Sequence, residues 1–95
     1  MATPFVEDTR VEPRGAGHWA AILTDRWDIG VPNGGYVLCV ALSAVRAELG
    51  PSHPHPLSVS AHYLGSCEQG PAVVDVTVLK RGRSLSTAYA ALSQA

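Results

Sequence analysis

The chain has 95 residues, 46% hydrophobic and 16% charged, enough apolar content for one packed core but too little length for two. Seven basic against eight acidic residues leave a net charge of -1, which supplies no field for gathering nucleic acid or coating an anionic membrane, so neither is expected as a partner. A domain this short buries only about 60 to 70% of its unfolded surface, so a second domain or subunit would add needed apolar contact.

In chain order, the opening Met-Ala-Thr-Pro-Phe-Val-Glu-Asp carries acids and a proline where a secretory signal needs a basic start and an apolar run. No later stretch approaches bilayer-spanning length. These features predict a cytoplasmic chain in which Cys39 and Cys67 are reduced thiols. Residues 1–17 are polar and interrupted by Pro4, Pro13, Gly15 and Gly17, which predicts an arm with at most a short edge strand at residues 5–11. The folded domain is expected over residues 18–95, and its first strand lies within residues 18–27, where Trp-Ala-Ala-Ile-Leu-Thr has strand composition.

Next comes Asp28-Ile-Gly-Val-Pro-Asn-Gly-Gly, dense in turn-forming residues, with Asn33 placed to cap a helix. Over residues 34–49 the polar positions are only Ser43, Arg46 and Glu48, Tyr36 being amphipathic. The helix predicted there is apolar around nearly its whole circumference for three turns and should be buried. Gly50-Pro51 ends it, glycine taking the left-handed cap and proline refusing continuation.

Beyond the stiff Pro-Ser-His-Pro-His-Pro segment, three long strands are predicted at residues 57–66, 72–80 and 84–93. In the second, Val74, Val76 and Val78 alternate with Asp75 and Thr77, the period of a sheet with one buried face. Gln69-Gly70-Pro71 and Arg81-Gly82-Arg83 are short enough for antiparallel hairpins. The sum is an α+β domain with one buried helix of about four turns against an antiparallel sheet. Its last predicted strand leaves an edge that invites another.

Four segments carry a resemblance: Trp27-Asp-Ile-Gly-Val-Pro-Asn-Gly-Gly-Tyr, the helix to Leu49, Leu57-Ser-Val-Ser-Ala-His-Tyr-Leu, and Val78-Leu-Lys-Arg-Gly-Arg-Ser-Leu-Ser-Thr through Gln94. Together, over roughly residues 19–95, they resemble the amino-terminal half of the acyl-CoA thioesterase II-like family, whose members fuse two hot-dog domains in one polypeptide. The resemblance implies a hot-dog fold, a curved antiparallel sheet wrapped around a long central helix. It also implies one further strand after the counterpart of Gln94 and then a second hot-dog unit. The chain is therefore expected to be the incomplete first unit of a longer protein. An acyl-CoA or related acyl thioester is the implied substrate, and a second hot-dog domain in cis or a homo-oligomer partner is implied beside it. No cofactor is expected, because coenzyme A arrives as part of the substrate.

Thioester hydrolysis must polarise a carbonyl and activate water, and enzymes similar to this family aim the start of the central helix at that carbonyl. Asn33, Gly34 and Gly35 stand at that start, where first-turn amides and the positive dipole end can stabilise an oxyanion and glycines let substrate approach the backbone. The plainer alternative is that Asn33 only caps and the glycines only turn the chain. Gln94 matches the position at which the family's second hot-dog carries a water-positioning glutamine, though the favoured reading is a structural one, satisfying a sheet edge or domain seam. The family set adds a helix aspartate and a threonine at the next strand. Here the helix carries only Glu48, and Pro56 or Leu57 stands about where the threonine would be.

Other candidates are further from chemistry. His62, expected mid-strand on one face with Ser58 and Ser60, could act as a base or simply pack. Lys80, Arg81 and Arg83 form a basic turn that could meet coenzyme A phosphates or merely be solvated. Trp27 could line an acyl tunnel, Tyr36 belongs to the matched helix start, and Asp28 is the one carboxylate near that start, a candidate base or turn cap. His53 and His55 have no cysteine or carboxylate at ligand spacing, so no metal site is expected. Three functions follow: an acyl-CoA thioesterase-type domain, a non-catalytic scaffold or acyl-binding half, and a hot-dog hydratase or dehydratase. The last wants a carboxylate and histidine pair, absent at short spacing.

Overall fold

The structure, a computed structural model, describes residues 4–27 and 34–94. Its elements run α1 (Pro4–Asp8), β1 (Glu12–Gly15), β2 (His18–Leu23), α2 (Gly34–Leu49), β3 (Gly70–Arg81) and β4 (Ser86–Ser93). The strands make one antiparallel sheet in the order β1-β2-β3-β4. Period-two alternation decides its faces. Val74 lies opposite Trp19 on one side and Leu92 on the other, so Trp19, Ala21 and Leu23 share a face with Ala72, Val74, Val76, Ala88, Ala90 and Leu92.

Helix α2 packs on that face through Tyr36, Val37, Val40 and Ala44, a single stripe at helical spacing. Leu23, Val40 and Val74 are almost wholly excluded from water. The helix ends as its Gly-Pro pair predicts: Gly50 has φ +86° and its N–H donates to the Arg46 carbonyl at 3.0 Å. Arg81 closes the same end from β3, donating to the carbonyls of Leu49 (3.0 Å) and Glu48 (3.4 Å). Between β1 and β2, Gly17 holds φ +76° and accepts the Val76 N–H at 2.7 Å; a Cβ there would stand 2.8 Å from the Val76 carbonyl oxygen. Only glycine permits so close an approach of the hairpin to β3.

Three expectations are corrected. The edge strand expected at residues 5–11 is replaced by α1, followed by β1 paired to β2. Phe5 sets its edge against the Trp27 ring at 5.0 Å, and Thr9 closes the turn by donating from N and Oγ1 to the Phe5 carbonyl, each at 3.0 Å. The strand expected at residues 57–66 does not form; it has no ladder partner among the described residues, and Leu57 and Leu64 remain 82% and 98% exposed. Finally, α2 is not buried all round. One sheet layer covers one side, so Leu38, Leu42 and Val45 are half-buried while Gly35, Arg46 and Ala47 are exposed.

Candidate functional site

Leu23 pairs with Gly70, and Ser93 with Val73, so the end of β2, the start of β3 and the end of β4 share one margin of the sheet. The start of α2 lies at that margin, because the Thr24 N–H donates to the Tyr36 hydroxyl at 3.1 Å. The helix end lies at the opposite margin, held by Arg81. At about 1.5 Å rise per residue, the 16 residues of α2 separate the two ends by about 24 Å.

Of the residues singled out in the sequence, Gly34, Gly35, Tyr36, Trp27 and Gln94 fall at the helix-start margin, while Arg81 and Arg83 fall at the other. Asn33 and Asp28 lie outside the described residues. Gly34 meets the segment after the helix directly: the Tyr63 hydroxyl donates to the Gly34 carbonyl at 2.9 Å, and a Cβ on Gly34 would stand 3.4 Å from the Tyr63 ring. A larger residue at position 34 would press on that ring.

Tyr36 is 3% exposed, and its hydroxyl donates to the Asp8 carbonyl (2.8 Å) while accepting from Thr24. Trp27 is half-buried, its indole N–H donating to Asp8 Oδ2 at 2.9 Å and its ring 6.5 Å from that of Tyr36. Both aromatic residues are therefore tied inward, to α1 and the core.

Gln94 turns its carboxamide onto the backbone. Its Oε1 accepts the Glu68 N–H at 2.9 Å, and its Nε2 donates to the carbonyls of Glu68 (2.8 Å) and Pro71 (3.2 Å). Both amide protons are spent on backbone. The side chain fastens the entry to β3 against the end of β4. At the other end of β4, His53 Nε2 and Ser86 Oγ are 3.2 Å apart, so residues between 53 and 68 are pinned to both ends of one strand.

His62 is exposed within that pinned segment and shares no strand face with Ser58 and Ser60, since no strand forms there. The Arg81 guanidinium is occupied by helix carbonyls, an arrangement that favours the helix dipole, and Arg83 is exposed in the β3–β4 turn. Among the described residues no group of three potential ligands could hold a metal ion, and no helix is long and apolar enough to cross a membrane.

Sequence reasoning missed two residues. Asp8, 8% exposed, gathers Trp27, Arg26 (Nε to Oδ2, 3.2 Å) and Tyr36, but its partners lie 18 to 28 positions away and leave no local signal. Tyr63 falls inside a matched motif, and its contact with Gly34 spans 29 positions.

The comparisons with known proteins agree. Residues 23–95 match the family model described as acyl-CoA thioesterase N-terminal domain. The thioesterase-like protein TwmA of Talaromyces wortmannii is 35% identical over 92 residues, which cover 95% of this chain and 26% of that protein. A proposed thioesterase II from Thermobifida fusca YX superposes with a TM-score of 0.91 at 35% identity, covering 98% of this chain and 34% of that one. The chain thus spans about a quarter to a third of the relatives it matches. Its four-stranded antiparallel sheet packed on a single long helix is the α+β hot-dog layout. With the family model matched over more than half its length and a near-complete superposition, the chain belongs to the acyl-CoA thioesterase N-terminal domain family.

Proposed function

We propose that this chain is the acyl-thioester-binding, non-catalytic half of a double hot-dog thioesterase. The start of α2 faces the acyl thioester, and hydrolysis belongs to a second hot-dog domain. The observation that carries this reading is the state of Gln94: a glutamine with both amide protons donated to backbone carbonyls has none left to orient an attacking water. The missing helix aspartate points the same way, since α2 carries no carboxylate before Glu48, whose Oε1 accepts the Trp19 indole N–H at 2.9 Å.

The helix start supplies binding rather than bond-breaking. The positive end of the α2 dipole favours the polarised thioester oxygen there, and glycine at 34 lets the Tyr63 ring pack against the first turn. The half-covered side of α2 and the outer edge of β4 are where a second hot-dog domain, in cis or from another copy, adds its contacts. Coenzyme A enters as part of the substrate, no further cofactor is required, and the setting is the cytoplasm, where Cys39 and Cys67 would remain reduced thiols.

Release of free thiol from short-, medium- and long-chain acyl-CoA tests the reading. The 95-residue protein should give no turnover above buffer. In a form extended by an active second domain, Gln94→Ala should lower the melting temperature and leave kcat within about twofold. Turnover by the 95-residue protein that Gln94→Ala abolishes would overturn it.

A further inference from the structure

Six residues, 28–33, join Trp27 to the start of α2, and both flanks of that connection converge on one residue of α1. On the entry side, Asp8 Oδ2 accepts the Trp27 indole N–H at 2.9 Å and the Arg26 Nε–H at 3.2 Å. On the exit side, the Asp8 backbone carbonyl accepts the Tyr36 hydroxyl at 2.8 Å, and that hydroxyl in turn takes the Thr24 N–H at 3.1 Å. Phe5 stands edge-on to both rings, 5.0 Å from Trp27 and 6.4 Å from Tyr36. Asp8 is 8% exposed, so its carboxylate is held by these donors and not by bulk water.

We propose that Asp8 is a positioning residue for the start of α2, its side chain holding the residues that enter the 28–33 connection and its backbone carbonyl holding the first turn that leaves it. The physical effect is loop closure. Fixing both ends of a short connection removes most of the conformations in which the helix start could drift, and the closure cost has been met by contacts made elsewhere. A helix start that receives a thioester carbonyl needs that constancy, because electrostatic stabilisation depends on donors already in place when charge develops. The functional part of the inference rests on the acyl-thioester reading above; the structural part does not. Residues that look like an arm in the sequence become part of the binding architecture.

Two measurements on Asp8→Ala and the milder Asp8→Asn separate the parts. Hydrogen exchange reads the ties directly. In Asp8→Ala the Trp27 indole N–H should exchange at least about tenfold faster, with Asp8→Asn falling between, and in Tyr36→Phe, which removes the hydroxyl bonded to the Asp8 backbone carbonyl, the Thr24 amide should do the same; the Val76 amide, donated to Gly17 in the β1–β2 turn, keeps its protection in all three. Titration with butanoyl-CoA and palmitoyl-CoA should then give a dissociation constant raised about threefold or more for Asp8→Ala. Unchanged exchange at both reporters would overturn the proposal, as would faster exchange with unaltered affinity. If the unmutated protein binds neither thioester, the acyl-thioester reading fails, and the exchange reporters alone decide whether Asp8 positions the helix start. Should Asp8→Ala fail to fold, Asp8→Asn supplies the entry-side comparison, and Tyr36→Phe still reads the exit side.

Discussion

Two stretches of strand-like composition meet different fates in this chain. Within β3, a strand laddered to β2 on one side and β4 on the other, Ala72, Val74 and Val76 are 3%, 0% and 7% exposed under α2. Residues 57–66 contain Leu57, Val59, Tyr63 and Leu64, all exposed, and form no strand. Hydrophobic residues suited to a pleated surface are present in both, so composition does not separate them. What separates them is a neighbour: β3 lies between β2 and β4, whereas the 57–66 segment is pinned beside β4 at its two ends without pairing to it. Strand propensity reports fitness for a sheet, and the ladder itself decides.

Substitutions in the two stretches should differ in cost. The largest effect should come from proline in the ladder. Val76→Pro removes the N–H that bonds Gly17 and should cost more than about 3 kcal/mol, enough to abolish the urea unfolding transition, while Val59→Pro should leave the midpoint nearly unchanged. Next, Leu23→Ala empties a site that is 1% exposed and should cost about 3 kcal/mol by urea denaturation, against less than about 0.5 kcal/mol for Leu64→Ala. Gly17→Ala forces a side chain into a left-handed position facing the Val76 carbonyl and should cost about 2 kcal/mol, read as a lowered melting temperature. Smallest, Gln94→Ala unties one end of the pinned segment and should cost about 1 kcal/mol, with faster amide exchange at Glu68 as its local signature.

These contrasts also explain what was legible beforehand. Helix α2 was readable because its signals are contiguous: sixteen residues nearly free of polar side chains, opened by Asn33-Gly34 and closed by Gly50-Pro51. The valine alternation of β3 was equally local. The 57–66 segment reads as a strand by composition, but strand pairing depends on partners distant in sequence, which Leu57 and Tyr63 do not encode. Helix α1 was invisible for the same reason, since five residues hold a helical turn only because Phe5 meets Trp27 and Tyr36. Within the site, the Gly34-Gly35 helix start is legible as a motif, but the inward ties of Tyr36 and Trp27 depend on Asp8, and the hydrogen bonds of Gln94 depend on backbone groups at Glu68 and Pro71. Residue type announced a glutamine that could orient water; only geometry showed where its protons go.

The proposed function puts the acyl thioester at the start of α2, about 24 Å from the Arg81 end. An amide chemical-shift titration with acyl-CoA distinguishes the two ends. Perturbations gathered at Gly34, Tyr36 and Tyr63 are the predicted result. Shifts gathered instead at Arg81, Arg83 and Ser86, or none at millimolar ligand, would contradict it.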